Sequence, residues 1–182
     1  MSTKNKSRLE VQNILREATL EGMKALGLDR YEVSEFANAS IQKADKVVLL
    51  NYIRSKRVGW QGRKYINTKT GNLERVEEWI DEQHWQFHSI AKRNVSTKVG
   101  DTLAEDMACM LITWFNGPGA EYLIKRGVAP LRIDTENIIV YNDNSDLYQK
   151  RAVFTVKIQV PKEQKTIGVA PVDLAVPDVR PV

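Results

Sequence analysis

Apolar residues recur at helical spacing near the start of the chain. Val11, Ile14, Leu15, Ala18, Met23 and Leu26 share one face, and Arg8, Glu10, Arg16, Glu17 and Lys24 decorate the other. This predicts an amphipathic helix over residues 9–26, with Gly27 placed as a C-cap. Residues 31–45 are mixed and polar and read as loop. Residues 47–52 are β-rich, and Arg54 to Arg57 and Val58-Gly59-Trp60-Gln61-Gly62 follow. Gly59 and Gly62 suggest a bulge or a close approach of backbones. Asn67-Thr68-Lys69-Thr70-Gly71-Asn72 has the composition of a hairpin turn, so residues 47–66 and 74–92 are expected to form a long antiparallel pair.

The second arm of that pair is ambiguous by periodicity. Val76, Trp79, Ile80, Gln83, Phe87 and Ile90 make a helical stripe, whereas Trp79, Asp81, Gln83, Trp85 and Phe87 make a strand face. The hairpin signal ahead of it favours strand. Residues 101–115 read as a second helix. Asp101 or Thr102 is its cap, Glu105 and Asp106 sit in its first turn, and Leu103, Met107, Met110, Leu111 and Trp114 lie on one face. Asn116-Gly117-Pro118-Gly119 ends it, and a short helix over 120–126 closes at Gly127. Strands over 131–141 and 147–160 follow, joined by a turn at 142–145. In the second strand Ala152, Phe154, Val156, Ile158 and Val160 alternate with Arg151, Val153, Thr155, Lys157 and Gln159. Beyond 160 the chain is punctuated by Pro161, Pro171, Pro177 and Pro181 and reads as an extended arm that builds no core. The expected fold is α+β: an antiparallel sheet built from two β-hairpins with helices packed on one face, over 1–160, and an extended C-terminal arm over 161–182.

Composition changes this picture little. With 42% hydrophobic residues a packed core is feasible, and no run of about eighteen apolar residues predicts a membrane span. The basic, polar N-terminus lacks the apolar core of a signal peptide, so synthesis in the cytoplasm is expected. Charge is informative because it is uneven. Residues 1–72 hold 14 Lys/Arg against 7 Asp/Glu, and residues 73–92 hold 2 against 5.

Candidate chemistry is sparse. His84 and His88 stand four apart, as metal ligands on one face do, but without the glutamate of the zinc-protease motif. Cys109, the single cysteine, excludes an intrachain disulfide and reads as a small apolar helix residue. Neither Gly59-Trp60-Gln61-Gly62 nor Gly117-Pro118-Gly119 has the residues of a phosphate loop. Glu77, Glu78, Asp81 and Glu82 read as a solvated acidic stripe. Trp60, Trp79, Trp85 and Trp114 read as core or interface residues, since the acidic setting of Trp79 and Trp85 repels a phosphate backbone. No catalytic residue, metal site or cofactor is expected.

Three stretches carry a resemblance to the tail terminator, or neck and gateway, proteins of long-tailed and specifically contractile-tailed bacteriophages. They are residues 47–62, residues 77–87, and residues 104–159, the last running from Ala-Glu-Asp-Met-Ala through Phe115-Asn116-Gly117 to Tyr148-Gln149-Lys150-Arg151. The similarity is one of pattern over about residues 9–160. It implies a structural virion protein of the neck, assembled in the host cytoplasm. Such proteins form homo-hexameric rings that cap the tail tube, end its polymerisation and dock the tail to the head while DNA passes. The implied partners are further copies of the chain, the tail tube protein, a head connector or collar protein and the tail sheath, with no membrane. A closed ring needs two complementary patches per subunit. Arg54, Arg57, Trp60, Glu77, Glu78, Trp79, Asp81 and Trp85 are the candidates for subunit contact. The alternatives are a head-completion or tail-tube subunit, a small nucleic-acid-binding protein, and a metal hydrolase with a third ligand beside His84 and His88.

Overall fold

The structure, a computed structural model, describes residues 5–28, 32–35, 46–67, 73–92, 104–134, 139–141 and 148–167. Helix α1 (Arg8–Ala25) starts at a capping box. Ser7 Oγ accepts from the Glu10 amide at 3.2 Å, and Glu10 Oε2 accepts from the Ser7 amide at 2.6 Å. That bond to the Ser7 backbone, with the Ser7 side chain, holds the Glu10 carboxyl below the usual range. The helix ends in a Schellman turn. Gly27, at φ +68°, donates to Lys24 O, and Leu28 donates to Met23 O.

The elements that follow are β1 (Glu32–Glu35), β2 (Lys46–Asn67), β3 (Leu73–Lys92), α2 (Ala104–Asn116), α3 (Pro118–Lys125), β4 (Ala129–Pro130), β5 (Ile139–Tyr141) and β6 (Tyr148–Ile167). The sheet order is β1-β2-β3-β6-β4, with β5 also on β6. The class is α+β and the β2/β3 hairpin is present, but the sheet is mixed: β1 runs parallel to β2. β1 falls in the stretch read as loop, because Glu-Val-Ser-Glu carries one apolar side chain, Val33, and no alternation to detect. The second hairpin is also not built as expected. β5 pairs antiparallel with residues 151–153 of β6 over three residues only, and residues 131–134 are not strand. The caps at Asp101 and Thr102, the turn at 142–145 and the tip of the long hairpin lie outside the described residues.

β6 does not stop at Val160. It pairs with β3 as far as Glu74↔Ile167. Pro161 is tolerated because its carbonyl accepts from the Asn5 amide at 3.1 Å, on the side away from β3. A residue's N–H and C=O point to the same side of a strand, so the missing donor faces outward and costs no ladder bond. Residues 168–182, most of the expected arm, lie outside the described residues.

The core lies between one face of the sheet and the helices. Leu50, Phe87 and Phe154 sit in one row across three strands, and Tyr52, Trp85 and Val156 in the next. Phe87 stacks on Phe154 at 5.2 Å and meets Phe115 of α2 edge-on at 5.3 Å. Val11, Leu15 and Ala18 of α1, Met107 and Leu111 of α2, and Leu123 of α3 complete the layer. Burying each such large side chain contributes about 1.5–3 kcal/mol. Trp114 is wedged between α1 and α3, with its indole N–H donating to Ala18 O at 3.1 Å. A Cβ on Gly22 or Gly119 would approach that ring to 2.6 Å. Val47, Leu49 and Ile90 form a small second cluster, in register on the other face.

Candidate interaction surface

Past the Tyr52–Trp85–Val156 row, the three long strands run on as a charged ribbon. β2 alone has 22 residues, roughly 70 Å of strand. Glu74, Glu77, Glu78, Asp81 and Glu82 all lie on the central strand, β3. Cations flank them on both sides. Lys56 meets Glu82 at 3.1 Å, Arg63 meets Glu77 at 3.2 Å and Lys64 meets Glu78 at 2.9 Å. From β6, Lys165 meets Glu74 at 3.7 Å. The β2 cations in these pairs are 53–59% exposed, so each pair contributes no more than about 0.2–1 kcal/mol. Together they set the order basic, acidic, basic across the sheet.

Two irregularities shape β2. Ile53 is an extra residue between the Tyr52↔Trp85 and Arg54↔His84 pairs. Between Val58↔Ile80 and Gly62↔Glu78, residues 59–61 oppose Trp79 alone, and Gly59 takes φ +75°. The glycines of this stretch mark the bulge expected from the sequence.

The face opposite the helices carries two buried polar groups. His84 Nε2 lies 2.8 Å from Glu82 Oε1. This bond first, and Lys56 with it, hold the Glu82 carboxyl below the usual range against the opposing effect of burial. His88 Nε2 lies 3.0 Å from Gln86 Oε1, and its Nδ1 accepts from Arg151 Nε at 2.8 Å. Burial, then the nearby Arg151 cation, push the His88 pKa down to about 4, so the ring is neutral at pH 7. Among the described residues no three His, Cys, Asp or Glu side chains gather as a metal site. A cavity of about 350 Å³ is lined by Phe115, Asn116, Pro130 and Arg132. Its amide, Asn116, is engaged with both the N–H and the C=O of Ile133. No helix among the described residues is long and apolar enough to cross a membrane.

The model of the E217 gateway protein gp29 family matches residues 10–166, from the first turn of α1 to the end of β6. The chain belongs to this gateway protein family. No curated protein matches the sequence. The resemblance to neck and gateway proteins drawn from the sequence therefore holds at the level of the gateway family. The match also runs past the domain limit read at 160 and ends with the sheet.

In this gateway family member most of the expected contact residues fall on the ribbon. Arg54 is exposed, and Arg57 lies 4.4 Å from the centre of the half-buried Trp79 ring. Trp60 belongs to the bulged stretch of β2. Glu77 and Glu78 are paired within the chain, and Asp81 accepts from Gln83 Nε2 at 3.1 Å. Trp85 is in the core, 1% exposed, with its indole N–H on Gln83 Oε1 at 3.1 Å. It presents no surface to a neighbour. Lys56, Arg63, Lys64 and Lys165, which hold the acidic strand, were not singled out from the sequence. Counting outward equally from the 67–72 turn places Arg63 opposite Val76, one residue short of the Glu77 it meets, so the pattern alone did not give the pairing.

Proposed function

We propose that this chain is a structural protein of a bacteriophage head–tail junction, acting as a homo-hexameric ring. The observation that carries the reading is the gateway family match, which spans nearly every described element. In this reading the ring caps the tail tube, ends its growth and docks the tail to the head connector or collar, while DNA passes through. In a contractile tail the sheath is a further neighbour. Function is steric and interfacial and assigns no residue a catalytic role. The ribbon supports the reading, because a long charged extension contributes little to the chain's own core and presents a large surface to adjoining parts.

The test is native mass spectrometry of the purified protein, together with the copy number in assembled particles. Six copies in a closed ring are expected. A monomer under all conditions overturns the reading, and open filaments indicate a tube subunit instead.

A further inference from the structure

The two outer rails of the ribbon are treated differently. The rail of β6 is covered along much of its length. β5 holds residues 151–153, Leu131 N–H donates to Lys157 O at 2.8 Å, and β4 pairs with Ile158 and Gln159. The segment before α1 continues the cover. The Asn5 amide donates to Pro161 O, Asn5 Oδ1 accepts from the Glu163 amide at 2.6 Å, and Lys162 Nζ donates to Lys6 O. On the rail of β2, β1 pairs with residues 47–50 only. Beyond Leu50 no described strand lies beside it, and residues 53–57 and 63–67 are all exposed.

Unpaired strand edges recruit other strands, and proteins normally blunt them. Here one rail is closed by three separate devices, and among the described residues nothing closes the other beyond Leu50. The strands that β2 already accepts share a chemistry. β3 brings the five carboxylates named above, and β1 is Glu-Val-Ser-Glu. On the open rail, Arg54 makes no ion pair with any described residue, and Arg57 rests on Trp79. Among the described residues, a second copy has little to offer this rail. Its own β2 rail repels, its β6 rail is covered, its acidic β3 is enclosed on both sides, and its β1 has four residues.

We propose that the open rail of β2, residues 54–67, is a docking site for an extended acidic segment of another protein, which joins the sheet as its next strand. Main-chain bonds on either side of the 59–61 bulge supply affinity, and the cations of β2 select carboxylates over neutral or basic side chains. The proposal goes beyond the ring reading and does not depend on its stoichiometry.

The test uses the full-length protein and a synthetic peptide of alternating Glu and Thr, about ten residues long, with Gln/Thr and Lys/Thr versions as controls. Hydrogen exchange and fluorescence anisotropy are the readouts. The Glu peptide is expected to bind and to slow amide exchange within 53–67 by about tenfold or more, leaving 164–167 unchanged. The Lys peptide does not bind. R54E/R57E weakens binding at least about tenfold, and R54E alone, which removes no ion pair with a described residue, weakens it several-fold should the double variant misfold. The proposal is overturned if the Gln peptide binds as well as the Glu peptide, or if protection appears elsewhere or not at all. It is equally overturned if raising the protein concentration alone protects 53–67, since a second copy then fills the rail.

Discussion

Gly22 lies inside α1, where glycine normally costs about 1 kcal/mol relative to alanine. Helix propensity alone makes Gly22→Ala stabilising. The Trp114 ring reverses the sign, because the added Cβ would stand 2.6 Å from its Cδ1. Overpacking of this kind costs about 1–3 kcal/mol, so G22A is expected to lose a net of up to roughly 2 kcal/mol of stability, read as a lower urea midpoint. His88 gives a prediction of a different kind. Its pKa is about 4 in the fold and near 6.5 in the unfolded chain, so the unfolded chain binds more protons between those values. Stability on this account falls as pH drops from about 6.5 to about 4 and changes no further below. His88→Gln should flatten the slope in that window, measured by urea unfolding at each pH. The loss due to Glu82, whose lowered pKa gives stability present above the ordinary carboxylate value, persists at more acid pH.

Among the elements, α1 and α2 were legible because their apolar positions repeat at helical spacing, and the strand nature of β3 followed from the turn that precedes it. The glycines gave the bulge in β2. β1 was not legible, since a four-residue strand with acidic ends has no pattern of its own and forms only because β2 is there to pair with. Pro161 was misleading. Whether a proline ends a strand depends on which side its nitrogen faces, which is a property of the pairing and not of the residue. The charge blocks were visible in the sequence, but their pairing within one ribbon was not. This bears on Glu77 and Glu78 as subunit contacts. Reversal to Lys at both positions sets like charges beside Arg63 and Lys64. Amide exchange over 62–66 and 74–78 should then quicken while the core signal holds. If such a variant still forms rings, these carboxylates serve the ribbon and not the subunit contact.

For the whole molecule, the count of 27 Lys and Arg overstates the free cations available to a partner. On β2 three cations are held by carboxylates of the neighbouring strand. The chain is therefore expected to retard DNA feebly and only at low salt, with no shift near physiological ionic strength, as the proposed passage of DNA through a ring requires. A gel-shift series in salt checks this, and firm retention at physiological salt would return the nucleic-acid-binding alternative. The difference between the two rails was beyond sequence reading, because it rests on contacts such as that between Asn5 and Glu163, 158 positions apart. The outward-facing nitrogen of Pro161 has one more consequence. Were β6 to slide by a single residue against β3, that nitrogen would turn inward where a donor is required, and Val156, Ile158 and Val160 would swing to the wrong side. The proline thus behaves as a ratchet tooth: it penalises the nearest misalignment of the long strands during folding, a slip by one residue.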